Sequence, residues 1–156
     1  MSTCRPEAST YCRVALCVGE VADTISPDRR SENMRRIRSK GMKPEMEVRR
    51  LVHALGYRFR LHVQKLPGRP DLVFPRLRKI IEVRGCFWHQ HAGCIDSHIP
   101  KSRMDYWRPK LKGNQQRDKQ NLKNLQALGW DVFLIWECQV RDLSRLREGV
   151  LRFLDG

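Results

Sequence analysis

A chain of 156 residues with 40% apolar and 31% charged side chains fits one folded domain with a useful core, and no apolar run in it is long enough to span a bilayer. The formal charge of +14 is unevenly placed: residues 1–24 carry two basic and three acidic groups, so the remainder holds a net +15, mostly on arginine. A body this basic repels itself unless it meets a polyanion, and arginine binds phosphate in a two-pronged fashion. No basic amphipathic helix with a broad apolar face is present, so nucleic acid is expected as the partner and a membrane surface is not.

Taken in chain order, residues 1–24 show neither helical nor strand period and are expected to form a disordered tail, leaving residues 25–156 as a single domain. The apolar run Val14–Val18 is too short for a signal-peptide core, so the expected location is the cytoplasm, where thiols stay reduced. Asp28 or Ser31 can cap a short helix running to about Ser39. Pro44 suits the first turn of a second helix, with Glu45 and Glu47 near its positive end. Met46, Val48, Leu51, Val52 and Leu55 give that helix a buried stripe, and Gly56 stops it. Three strand-like runs follow, Tyr57–Val63, Asp71–Phe74 and Lys79–Val83, separated closely enough for an antiparallel meander. A polar helix is predicted from about Asn114 to Leu128, with Leu122, Leu125 and Leu128 on one face. WDVFLIWE, Trp130–Glu137, reads as a sheet-centre strand, and a last helix from about Leu143 to Leu154 buries Leu146, Val150, Leu151 and Leu154. The order ααβββ, loop, αβα describes an α/β fold, a mixed sheet with helices on its faces.

The stretch RGCFWHQHAGC, Arg84–Cys94, supplies three soft or borderline ligands, Cys86, His91 and Cys94. Zinc takes four such ligands, usually in a tetrahedron. Cys138, just past the end of the last strand, is the remaining cysteine of the folded body. A structural Zn²⁺ site of three cysteines and one histidine follows, pinning the loop from Gly85 to about Arg103. His89 is an alternative to His91 as its nitrogen ligand.

A second group lies in GRPDLVF and IIEVRG. Residues two apart in a strand face the same side, so Glu82 and Arg84 project together and Asp71 can sit opposite them across a hairpin. Two carboxylates beside a cation can hold Mg²⁺ and stabilise a pentavalent phosphate, and Glu45 could complete the acidic set. The competing reading is a surface salt bridge between Glu82 and Arg84. The pattern P-D-x10-E-x-R resembles the PD-(D/E)xK nuclease signature with Arg in place of Lys.

Together the segments SENMRRIRSKGMKPE, LPGRPDLVF, VRGCFWHQHAGC, PKSRMDYW, GNQQRD and GWDVFLIWEC closely resemble the very-short-patch repair (Vsr) mismatch endonucleases. The resemblance runs from roughly Asp28 to Cys138 and implies a restriction-endonuclease-like, PD-(D/E)xK fold with a structural zinc loop. It also implies a bacterial, nucleoid-associated enzyme that nicks double-stranded DNA on the 5′ side of the thymine in a G·T mismatch left by 5-methylcytosine deamination. Such an enzyme requires Mg²⁺, can act as a monomer and can contact mismatch-repair proteins. By the same resemblance Asp71 is the metal-binding aspartate, a backbone carbonyl near Val83 a second Mg²⁺ ligand, His89 the catalytic histidine and Glu45 the acidic residue of the N-terminal helix. Cys86, His91, Cys94 and Cys138 match the zinc ligands. Phe87, Trp88 and Trp107 match aromatics that enter the DNA stack, where a mismatch lowers the cost of unstacking.

One departure stands out. Where family members carry an apolar residue and a second active-site histidine, this chain has Glu82 and Arg84. Glu82 is expected to contribute to Mg²⁺ and Arg84 to offset phosphate charge, leaving His89 as the only obvious histidine base. Two other readings are a restriction-type or general repair nuclease of the same fold, and a zinc-stabilised DNA-binding module without catalysis.

Overall fold

The computed structural model describes Ser26, Asp28, Arg29, Glu32 and residues 41–156 except Ser102. The tail over residues 1–24 and nearly all of the first expected helix lie outside these residues; Asp28, Arg29 and Glu32 are helical.

Helix α1 (Lys43–Ala54) begins with Pro44 and carries Glu45 in its first turn. Both choices suit a helix start, where a missing N–H costs nothing and negative charge meets the positive end of the dipole. Val48 and Val52 are fully buried, and Leu51 and Leu55 pack beside them. Gly56, at φ 90°, ends the helix in a conformation that an L side chain rarely adopts.

Strands β1 (Arg60–Leu61), β2 (Leu72–Phe74), β3 (Lys79–Arg84) and β4 (Asp131–Trp136) form one sheet in the order β1-β2-β3-β4. β1/β2 and β2/β3 are antiparallel, as the meander predicts, and β3/β4 is parallel. The first strand is much shorter than the expected Tyr57–Val63. His62 has a left-handed φ of 46°, which takes the chain out of extended geometry directly after Leu61. The position of β4 also departs from expectation: it is a terminal strand among the described residues, and β2 and β3 hold the centre.

Side chains on the sheet alternate between two cores. Leu72, Phe74, Ile81 and Ile135 pack against α1 and against helix α4 (Leu143–Asp155) through Leu146, Val150 and Leu154. Val73 and Ile80 face the other way, against Leu125 and Trp130. Asp142 caps α4 by accepting from the Arg145 N–H at 3.1 Å.

The β3-to-β4 connection holds a single helical turn, α2 (Cys86–His89), a 3-10 turn (Ile95–Ser97) and helix α3 (Met104–Ala127). Helix α3 starts about ten residues earlier than Asn114. Pro109 and Gly113 argue locally against that extension. Burial of Trp107 and Leu111, at 8% and 1% exposure, overrides them. At its other end Leu128 is 51% exposed, so the expected leucine face narrows to buried Leu125 and half-buried Leu122.

Candidate active site and metal centre

The parallel register pairs Arg84 with Trp136, so Cys86 and Cys138 each lie two residues beyond a paired position, at the same end of the sheet. From Cys86 the chain makes one helical turn and reverses at Gln90, in left-handed conformation (φ 51°). The His91 N–H then donates to the Cys86 carbonyl at 3.0 Å. This reversal returns His91 to Cys86, and Cys94 follows through a Cys94 N–H to His91 carbonyl bond of 3.3 Å.

The ligand atoms of Cys86, His91, Cys94 and Cys138 lie within 4.8 Å of one another. His91 Nδ1 is 3.7 Å from Cys86 Sγ and 3.4 Å from Cys138 Sγ. Ideal zinc bond lengths in a tetrahedron give sulfur–nitrogen edges of about 3.6 Å, so the group fits a metal ion of that size. The His91 ring is stacked on Trp136 at 4.2 Å and 9°, which fixes its plane. Burial pushes the Cys86 thiol up to about 12; a backbone bond from Cys138 opposes this and the neighbouring thiols add to it. A bound cation reverses that preference by holding the thiolate. Between His89 and His91, the geometry places His91 in this cluster.

His89 instead points to helix α3, where its Nδ1 lies 2.5 Å from Asp118 Oδ2. Asp118 had no assigned role in the sequence, although GNQQRD ends on it.

Asp71 stands directly before β2 and accepts from the Val83 N–H at 2.8 Å. Burial raises its carboxyl to about 6. The Val83 bond pulls the other way, the charges of Glu45 and Glu82 raise it further, and Arg49 lowers it. Glu45 comes from α1, 5% exposed, and accepts from the Gly41 N–H at 2.6 Å. The third member of the group is His62, whose Nε2 is 3.4 Å from Glu45 Oε1 and whose Nδ1 is 3.9 Å from Asp71 Oδ1. Glu45, His62 and Asp71 form the second cluster able to hold a metal among the described residues.

Glu82 lies outside that cluster. Its Oε2 accepts from Arg84 at Nε, 3.2 Å, and at Nη2, 2.7 Å. The expected two-residue facing is there, but it produces an ion pair with both side chains about nine-tenths buried, neither a surface bridge nor a shared metal face. His62 stands beside the acids as well, whereas the sequence left His89 as the only obvious histidine base. The sequence signal for His62 was weak, because a lone His in a strand-like run carries no pattern.

Two clefts, about 500 and 350 Å³, meet at Asp71, Val83 and His89. The larger is walled by Phe87, Trp88 and Lys110, the smaller by Arg69, Glu82, Arg84 and Asn121. Phe87, Trp88 and Trp107 form one cluster with ring centroids 5.0 to 6.0 Å apart, Phe87 meeting both tryptophans edge to face. Phe87 and Trp88 are half-buried and Trp107 is buried; the exposed ring of the group is Tyr106.

A family model described as DNA mismatch endonuclease Vsr matches residues 22–94. The chain is 47% identical over 135 residues to the type II nicking enzyme V.XorIIP of Xanthomonas oryzae pv. oryzae, covering 86% of this chain and 98% of that protein. It is 37% identical over 131 residues to the DNA mismatch endonuclease Vsr of Escherichia coli, covering 84% and 83%. The chain belongs to the Vsr family of DNA mismatch endonucleases. A third relative, the type II nicking enzyme V.NmeAIP of Neisseria meningitidis, is 34% identical over 134 residues, covering 86% and 95%. Vsr membership makes the protein a DNA-nicking hydrolase with a restriction-endonuclease-like, PD-(D/E)xK core, in keeping with the four-stranded mixed sheet. Among the described residues no helix is long and apolar enough to cross a membrane.

Proposed function

We propose that this Vsr endonuclease nicks one strand of double-stranded DNA on the 5′ side of the thymine in a G·T mismatch, acting as a monomer. The observation that carries the reading is the meeting of both clefts at Asp71, Val83 and His89, with the aromatic cluster as a wall. DNA seated there brings a phosphate to the acids and a base step to Phe87 and Trp88 together.

Asp71 and the Val83 carbonyl would hold Mg²⁺, which supplies a Lewis acid to the scissile phosphate when bound. His89 donates its Nδ1 proton to Asp118, which leaves Nε2 as the acceptor. There it takes a proton from the attacking water as the new phosphorus–oxygen bond forms and the bond to the leaving sugar oxygen breaks; that oxygen is protonated from solvent. Arg84, held by Glu82, faces the phosphate and offsets its developing charge. Glu45 stands beside Asp71 in the cluster, where its charge favours the protonated Asp71 carboxyl. Phe87 and Trp88 press on the mismatched step, with Trp107 as their buried support; unstacking costs a few kcal/mol and least at a mismatch. Zn²⁺ at Cys86, His91, Cys94 and Cys138 fixes the turn that carries His89 and both wedges.

The test is a nicking assay with Mg²⁺ and duplexes carrying one G·T mismatch, or none, in several sequence contexts. Nicks confined to mismatched duplexes, 5′ to the thymine, are expected. Cutting of matched DNA at a fixed site would sink the mismatch reading, and binding without cleavage would sink the catalytic one.

A further inference from the structure

Arg49 is one helical turn past Glu45 on α1, and its side chain folds into the acidic cluster. Its Nη2 contacts Glu45 Oε1 and lies 2.9 Å from His62 Nε2. Nη1 is 3.6 Å from Met46 Sδ, and Nε is buried with no hydrogen-bond partner among the described residues. The other Glu45 oxygen accepts from the Gly41 N–H.

A guanidinium can only donate, so His62 Nε2 must be the acceptor in its contact with Arg49. The His62 Nε2 lone pair and the side of Glu45 that faces it are therefore engaged by a cation the protein already carries. We propose that Arg49 is a resident guanidinium that closes the Glu45–His62–Asp71 cluster to divalent metal, so that the ion binds Asp71 without His62. This rests on the reading of Asp71 as a metal ligand. It makes Arg49 a positioning and selectivity residue. Without it, two carboxylates and an imidazole stand within 4.8 Å, a set that accepts Mn²⁺ more readily than Mg²⁺, which prefers oxygen.

The experiment counts Mn²⁺ by electron paramagnetic resonance on the full-length, zinc-loaded protein without DNA. His62→Asn is expected to leave the affinity of the unaltered protein within about twofold. Arg49→Gln is expected to bind the Asp71 Mn²⁺ about tenfold more tightly through Glu45 and His62, a gain lost again in the Arg49→Gln/His62→Asn double variant. Arg49→Lys, which keeps a positive charge, is expected to gain none. A tenfold loss of affinity in His62→Asn alone would overturn the proposal, because the histidine would already be a ligand; this arm holds even if Arg49→Gln does not fold. A folded Arg49→Gln that binds Mn²⁺ no more tightly would overturn it equally. Asp71→Asn serves as the separate control: if it leaves Mn²⁺ binding intact, the metal reading of Asp71 fails first.

Discussion

The Cys86–His91–Cys94–Cys138 cluster and the Glu45–His62–Asp71 cluster both gather ligand-type atoms within 4.8 Å. Their hydrogen bonding differs. In the first, the contacts of His91 Nδ1 run to the sulfurs of the cluster itself, at tetrahedral spacing. In the second, Glu45 is engaged by Gly41 and Arg49, His62 by Arg49, and Asp71 by Val83. The first could hold an ion on ligands that have no competing cation beside them. The second already holds a cation of its own, so on the proposed reading an ion binds there through Asp71 alone. Proximity of ligands thus does not define a metal site; what matters is whether their lone pairs are already in use.

That contrast can be broken most directly at Asp71. Asp71→Asn is expected to lower nicking about a thousandfold or more while leaving zinc content unchanged; single-turnover rates and metal analysis on one preparation check both halves. His89→Gln should cost about a hundredfold to a thousandfold, and Asp118→Asn about tenfold, because the first removes the proton acceptor and the second only its orienting partner. A flattened pH–rate profile in His89→Gln, with the profile kept in Asp118→Asn, would separate the two roles. Cys138→Ser is the converse of the Asp71 change: zinc is expected to fall below half an equivalent and stability by about 3 kcal/mol. Mn²⁺ binding at Asp71 in that variant should survive, and its loss would mean that the two clusters are one unit.

The smallest effect is on stability. The Asp71 carboxyl is raised in the folded chain from 3.8 to about 6. The folded state therefore holds its proton more tightly, and ionising it disfavours folding. The cost builds as pH rises from about 4 to about 6 and stays constant above. With Asp71 about a quarter exposed, solvent screening reduces the cost to about 1 kcal/mol. Asp71→Asn should thus raise the denaturation midpoint at pH 7 in Mg²⁺-free buffer, with the gain vanishing below pH 4. An equal gain at both pH values would assign it to packing.

The parts of the fold legible in the sequence were those whose signal is local. Pro44, the buried Val48 and Val52, and Gly56 mark α1; the closely spaced runs mark the meander; C-x4-H-x2-C marks the turn that gathers its ligands. What escaped depended on partners far along the chain. Helix α3 extends through Pro109 and Gly113 because Trp107 and Leu111 find a core there. β1 ends early because His62 leaves extended geometry, and that departure accompanies its approach to Glu45. Strand facing placed Glu82 and Arg84 on one side but could not say that they would satisfy each other. Arg49, an ordinary helix-surface arginine by spacing, became informative only once the fold brought α1 beside His62 and Asp71.

The Arg84–Trp136 pairing also bears on how the chain folds. His91 and Cys138 are 47 residues apart, and closing a loop of that size costs about 3 kcal/mol in chain entropy before any contact forms. A metal clasped across that gap can complete its ligand set only after β3 and β4 have aligned in parallel. On the zinc reading, uptake is expected late in folding, and a slip of one residue in strand alignment would separate Cys138 from its partners. An ion held there would act as a proofreading step for the register that also sets His89 and Asp71 on the same clefts.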